Sequence, residues 1–279
     1  MNRSFLCALC GALGSSRLRY YVLAKHEVNL CECLSCGFVF VADPHWLAES
    51  FGSELNRLDV GSVDRTLLVS QFVRGLLGMS PARRGWTVLD FGGGDGLLTR
   101  LLRDVGVDCR WEDPYCEPVY DVGPPHDEVR RFDLAVMGEV ALHLTDPLAT
   151  FRDLIERCDR VLFTATVPTD PIPADWWYLM PSTGQHVAFY PTRAIAHIAK
   201  VLDVDWCSDG KFFHLLSTST IDRPLRARVE HSAAPLLAAQ AWGVVDLLRR
   251  ARGSRVSLTE ADQDRLSTVI APTEGSTHG

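Results

Sequence analysis

Two cysteine pairs, Cys7-Ala-Leu-Cys10-Gly11 and Cys33-Leu-Ser-Cys36-Gly37, have the spacing of metal ligands. Two intervening residues let both sulfurs of a pair reach one tetrahedral ion, and the glycine that follows permits a left-handed turn that aims amides at the thiolates. Four thiolates leave no open coordination position, so the expected chemistry is a structural zinc held by Cys7, Cys10, Cys33 and Cys36, with Cys31 able to stand in for Cys33. A second constellation is the run Val88-Leu-Asp-Phe-Gly-Gly-Gly-Asp-Gly96, an apolar strand ending in an acid and then a glycine turn. A third is His186 in a polar and aromatic stretch, with Glu139 and His143 earlier in the chain. An imidazole near its working pKa suits general-base chemistry on an acceptor held in a largely dry pocket.

The glycine spacing narrows the ligand. A dinucleotide fingerprint would need a glycine at position 97, where Leu97 stands, and no phosphate-binding lysine follows the turn. Asp90, directly before Gly92, Gly93 and Gly94, is unwelcome beside a pyrophosphate but suits a ligand with an ammonium group, as S-adenosylmethionine has. Asp113, about 20 residues on, sits where a carboxylate accepts ribose hydroxyls, with Glu112 as the competing acid. These readings make Asp90, Gly92, Gly93, Gly94 and Asp113 candidate cofactor-binding residues.

The elements that must position these groups read as an α/β succession. Short continuous apolar runs at 87–91, 107–112, 134–137 and 160–166 predict buried parallel strands. Helices are expected from Leu97 to Val105, from Asp146-Pro147 onward and from Thr192, followed by a strand over 212–219 and a helix over 233–252. Residues 62–78 carry Leu67, Leu68, Phe72, Leu76 and Leu77 at helical spacing before Gly78. Two β-like runs, 19–23 and 38–41, flank the cysteines. The aromatics Trp176, Trp177, Tyr178, Phe189 and Tyr190 read either as a lid that stacks on a ligand or as a hydrophobic plug. Asp59, Gly61 and Arg65 could close over the pocket, and His214, on a strand, is read first as core.

Composition bounds the partners. With 28 Lys plus Arg against 35 Asp plus Glu, the net charge of −7 lacks the basic footprint of a nucleic-acid binder. Residues 1–45 are near neutral, with Arg3, Arg17, Arg19 and Lys25 against Glu27, Glu32 and Asp43, so phosphate finds little attraction there either. No apolar run approaches the ~18 to 20 residues of a membrane span, and the clustered cysteines fit a reducing compartment, so a cytoplasmic chain is expected.

The glycine turn, Asp113 and the stretch from Phe132 to Pro147 together resemble class I S-adenosylmethionine-dependent methyltransferases over residues 55–220. More narrowly, Trp176 to Ala199, the run near Phe212 and the paired cysteines resemble a branch with an N-terminal zinc-binding module that includes deoxysugar C-methyltransferases. The resemblance implies a Rossmann-like seven-stranded sheet with a small zinc module attached, and it adds Met137 to the cofactor site. It implies a division into a zinc module (1–45), a helical lid or connector (46–80), a methyltransferase core (81–222), a helical segment (223–268) and a tail (269–279). One departure stands out: Glu139 and His143 match the branch's pattern after the fourth strand, but Leu142 replaces its second acid. The expected activity is methyl transfer to a hydroxyl or carbon of a sugar or natural-product intermediate, with His186 as base and His143 and Glu139 touching cofactor or substrate. The alternatives are an RNA methyltransferase that grips its substrate through the zinc module, and a non-catalytic cofactor-binding protein.

Overall fold

A computed structural model describes residues 5–51, 61–78, 83, 85–128, 131–237, 258, 261–262 and 265. The expectations at Asp59, for the C-terminal helix beyond residue 237 and for the tail of 269–279 lie outside these residues.

The first sheet begins with β1 (Phe5–Leu6), β2 (Leu13–Val22), β3 (His26–Cys33) and β4 (Val39–Ala42), all antiparallel neighbours. Its fifth strand comes from far along the chain: β9 (Ala188–Phe189) pairs with β4, Val39 opposite Phe189 and Phe40 opposite Ala188. The expected boundary near residue 45 therefore does not isolate a module. An unpaired β4 would leave an open sheet edge, and β9 covers it. β3 itself had no strand signal, because its alternating pattern is interrupted by polar and cysteine residues.

The second sheet has six strands among the described residues, in the order β10 (Asp205–Ser208), β11 (Phe213–Ser217), β8 (Arg160–Thr164), β7 (Leu134–Met137), β5 (Thr87–Phe91), β6 (Asp108–Glu112). The four strands from β8 to β6 run parallel, and β11 is antiparallel to both β8 and β10. Where the resemblance implied seven strands, the described residues show none beyond β6. The segment between Asp113 and Phe132 is short, and its described residues hold only a 3-10 turn at His126–Glu128. Every residue of β7 is buried, as expected for an interior strand covered on both faces.

Helix α1 is the single turn Leu47–Ser50, and α2 (Ser62–Gly78) sends Phe72 onto Phe213 of β11 in a stacked contact at 3.8 Å. Helix α3 (Leu97–Arg103) follows the glycine turn. Helix α4 (Pro147–Arg157) starts where the Asp146 side chain accepts the Ala149 amide at 3.1 Å, with proline in its first turn. Helix α5 (Thr192–Leu202) covers the side shared with the first sheet, while α6 (Arg223–Glu230), capped by Asp222, covers the other side with α2. One continuous hydrophobic cluster runs from Cys7 through Phe38, Phe163 and Tyr190 to Ala199, so the cysteine region and the catalytic sheet share a core.

Candidate active site and cysteine cluster

The two cysteine turns are built alike. The Gly11 amide donates to Cys7 O at 2.9 Å and the Gly37 amide to Cys33 O at 2.8 Å, with both glycines left-handed (φ 69° and 78°). The turns bring the sulfurs of Cys7, Cys10, Cys33 and Cys36 within 4.8 Å of one another. Sγ atoms bound at about 2.3 Å to one tetrahedral zinc would stand about 3.8 Å apart, so the observed 3.5 Å (Cys7–Cys36) and 3.4 Å (Cys10–Cys33) fit that ion closely. They are far too long for disulfides. Hydrogen bonds from Cys36 and from the Leu9 amide favour a thiolate at Cys7, holding it down to about 5 against the cost of burial. Of the two cysteines between which the spacing left a choice, Cys33 lies in the cluster, and the Cys31 thiol lies 3.9 Å from Asn29 O. Arg193 of α5 lies across the second turn, where a Cβ on Gly37 would stand 2.2 Å from its Nε.

At the carboxyl end of the second sheet the glycine turn follows β5. Gly92, Gly94 and Gly96 all have left-handed φ (68°, 54° and 83°). A Cβ on Gly93 would stand 2.5 Å from Trp111 and 2.8 Å from Asp90 Oδ2, so that position is closed to larger residues. At Gly94, and at Gly138 beyond the neighbouring β7, an added Cβ would meet nothing within 4 Å. Bare backbone thus borders open space on adjacent strand ends, a cradle that fits a nucleoside cofactor. Asp113 Oδ2 accepts the Gly94 amide at 3.0 Å and its Oδ1 accepts the Tyr115 and Cys116 amides at 2.8 and 3.1 Å, which places this carboxylate at the edge of the cradle. Glu112, the competing acid, is tied to Arg157 at 2.7 Å instead.

Two cofactor expectations need correction. Asp90 is only 2% exposed, and its Oδ2 accepts the Thr99 amide (3.1 Å) and hydroxyl (2.8 Å). It fastens the first turn of α3 to β5 and does not stand open to a ligand ammonium. Burial pushes its carboxyl up to about 7, against the Thr99 hydrogen bonds. The Met137 side chain is wholly buried in the core like the rest of β7, and Gly138, just past the strand end, is the residue that borders the cleft.

The three expected catalytic residues do converge. Glu139, His143 and His186 line one cavity of about 50 Å³ together with Arg65, Trp177, Tyr178, Met180 and Gln185. Glu139 has a left-handed backbone (φ 61°), costly for a residue with a side chain and held by its surroundings. Its amide donates to Thr164 Oγ1 at 2.8 Å, that hydroxyl returns a bond to Oε1 at 3.1 Å, and the Tyr178 hydroxyl donates to the carboxylate at 2.9 Å. Tyr178 in turn accepts the Thr166 amide at 2.9 Å. His143 Nδ1 lies 3.0 Å from Gln185 O and His186 Nδ1 lies 2.7 Å from Tyr178 O. A carbonyl can only accept, so both rings carry their proton on Nδ1 and have Nε2 as the basic nitrogen. The two rings meet edge to face at 5.3 Å. Burial, then His143, holds His186 down to about 3, so it is neutral throughout the physiological range.

The first sheet reaches this cavity directly. Val41 N donates to Val187 O (2.8 Å), Leu23 N to Pro181 O (2.8 Å), Trp46 Nε1 to Gly184 O (3.0 Å) and Gln185 Nε2 to Ser50 O (2.7 Å). A larger recess of about 290 Å³ lies on β1 and β4, lined by Phe5, Phe38, Phe40 and Leu144 among others. It holds no histidine and only Asp43 as an acid, so the chemistry selects the smaller cavity.

The aromatic segment divides between its two readings. Trp177, 62% exposed, lines the cavity and can stack on a ligand, whereas Tyr178, Phe189 and Tyr190 are core. Sequence reasoning missed Tyr178 as the group that fixes Glu139, because that pairing spans 39 positions and has no local signal. His214 is core as expected: Nε2 donates to Ala165 O at 2.9 Å, Nδ1 accepts from Ser208 Oγ at 2.8 Å, and burial holds it down to about 4.

The methyltransferase-domain family model matches residues 64–203, half of the chain. No curated protein matches. Among solved structures the chain is similar to TnmH (14% identity, TM-score 0.42, 62% of this chain and 61% of that one). It is also similar to magnesium protoporphyrin IX methyltransferase from Synechocystis PCC 6803 with bound S-adenosylmethionine (14%, 0.40, 62% and 95%). A third is the mitomycin 7-O-methyltransferase MmcR (16%, 0.40, 63% and 59%). The chain thus spans less than two thirds of TnmH and of MmcR. With the glycine cradle and Asp113 at the carboxyl end of a parallel sheet inside the matched region, the chain belongs to the S-adenosylmethionine-dependent methyltransferase family.

Proposed function

We propose that the protein methylates a hydroxyl of a small molecule, a sugar or a natural-product intermediate, in the cavity lined by Glu139, His143 and His186. The observation that carries this reading is the pair of imidazoles whose Nδ1 protons are taken by carbonyls, which leaves Nε2 as the basic nitrogen of two rings that line one small cavity. S-adenosylmethionine, when bound, supplies the electrophilic methyl group, and Gly92, Gly93, Gly94 and Asp113 would hold it. His186 Nε2 accepts the acceptor's hydroxyl proton as the oxygen takes up the methyl. An oxygen gaining a methyl becomes far more acidic than an imidazolium of pKa about 3, so even this weak base serves. Glu139, fixed by Tyr178 and Thr164, orients the acceptor, and Trp177 covers it.

Zinc belongs to the same proposal. Cys7, Cys10, Cys33 and Cys36 would bind it as a closed structural site, and β4 carries that order through β9 to His186. The test is a panel of hydroxylated sugars and natural-product alcohols incubated with S-adenosylmethionine, read as release of the demethylated product. We expect turnover with an oxygen acceptor and a loss of about 100-fold or more in His186→Ala with cofactor binding retained. Full turnover in that variant, or product methylated at carbon, refutes the assignment.

A further inference from the structure

The loop of residues 113–123 is stitched to the glycine turn at its start and again past its middle. It begins at Asp113, which accepts the Gly94 amide, and the Val119 and Tyr120 amides both donate to Asp95 O at 2.9 and 3.1 Å. Three apolar side chains of this loop stand in solvent beside the cradle: Tyr115 (91% exposed), Val119 (80%) and Tyr120 (42%). Clustered exposure of that kind beside a ligand cradle marks a surface that a planar apolar group covers.

The far end of the loop rests on α3 and, through it, on the C-terminal region. A Cβ on Gly123 would stand 2.4 Å from Arg103 Cζ, so the loop backbone lies flat on that guanidinium. Arg103 donates from Nε (2.9 Å) and from its terminal nitrogen (2.6 Å) to the two oxygens of Asp262, and from NH1 to Cys109 O at 3.0 Å. Arg100 NH1 donates to Asp262 at 3.0 Å and to the Asp121 carbonyl at 3.3 Å. Arg265 is ion-paired with Asp121. Asp262 is itself 3% exposed, a carboxylate set between two arginines of the helix that starts at the glycine turn.

We propose that Asp262 is a positioning residue for the cofactor. Its carboxylate fixes Arg100 and Arg103, and these hold the 113–123 loop folded over the glycine turn with Tyr115, Val119 and Tyr120 against the nucleoside end of S-adenosylmethionine. Without it, Arg100 keeps Asp104 at 2.7 Å, but Arg103 loses both of its carboxylate hydrogen bonds and keeps Asp108 at 3.6 Å, so the part of the loop that rests on Arg103 loses its footing. This rests on the S-adenosylmethionine reading of the cradle.

The experiment is calorimetric binding of S-adenosylhomocysteine to the full chain, with amide exchange of residues 113–123 in the ligand-free protein and a melting curve for each variant. Asp262→Asn should raise Kd about tenfold and speed loop exchange, Arg265→Ala should do the same by about threefold, and Asp262→Glu should recover part of the affinity. The Arg265 side chain is 33% exposed, against 5% for Asp262, so its variant tests the idea even where Asp262→Asn melts early. Lower melting temperatures with wild-type Kd and wild-type loop exchange in both variants overturn the proposal. Wild-type protein that does not bind S-adenosylhomocysteine at all overturns the cofactor reading first, and the proposal with it.

Discussion

Asp90 offers a quantitative check on how the cofactor turn is held. Its carboxyl is raised to about 7 because burial penalises the charge, so the folded state binds its proton more tightly than the unfolded chain, where an aspartate titrates near 3.9. A raised carboxyl contributes stability that is fully present below about pH 4 and is lost as pH rises through about 7. At about 1.4 kcal/mol per unit, the shift of about 3 units is a cost on the order of 4 kcal/mol above neutrality. Asp90→Asn keeps an oxygen able to accept both Thr99 donors at about the observed 3.1 and 2.8 Å but cannot ionise. Between about pH 5 and about pH 8 the variant's stability relative to wild type should therefore rise by about 2.5 kcal/mol. Denaturant unfolding at the two pH values, extrapolated to water, measures that difference. A gap between variant and wild type that does not change with pH would show that the carboxyl is already ionised in the fold, and the burial reasoning would fail.

Other perturbations follow from the same geometry. Metal analysis of the purified protein should find about one zinc per chain, and its removal by a chelator should unfold the first sheet and release β9, read as faster amide exchange over 185–190. Wild-type exchange there after complete metal removal would break the link between the cysteine cluster and His186. Tyr178→Phe removes the donor to Glu139 at 2.9 Å and should cost about 1 to 3 kcal/mol of stability together with a loss of turnover. If thermal stability fell while turnover stayed at the wild-type level, Glu139 would not be part of the working site.

Much of the cofactor half was legible because its signals are local. β7 was read at its observed ends, 134–137, since an interior parallel strand is a continuous apolar run. The start of α4 followed from Asp146-Pro147, and α5 from Pro191-Thr192. The cysteine cluster was legible too, because two residues between sulfurs are enough to set a half-site. β10 and α6 went unread, although Asp222 and Pro224 are a capping signal of the kind that revealed α4. The burial of Met137 and the place of Gly138 at the cleft have no local signal, because they depend on what packs around the strand end.

Residue type and spacing alone determined which four cysteines cluster, the left-handed glycine turn, the acid that meets it and the parallel sheet behind them. Tertiary structure decided what these groups do to one another. It turned Asp90 from a ligand partner into a strut for α3, gave Glu139 its clamp in Tyr178, and joined the cysteine sheet to the histidine cavity through two residues of β9. Each of these contacts links positions that are distant in the chain or on a face that periodicity does not assign. Burial and hydrogen bonding between such positions arise only once the chain has closed on itself.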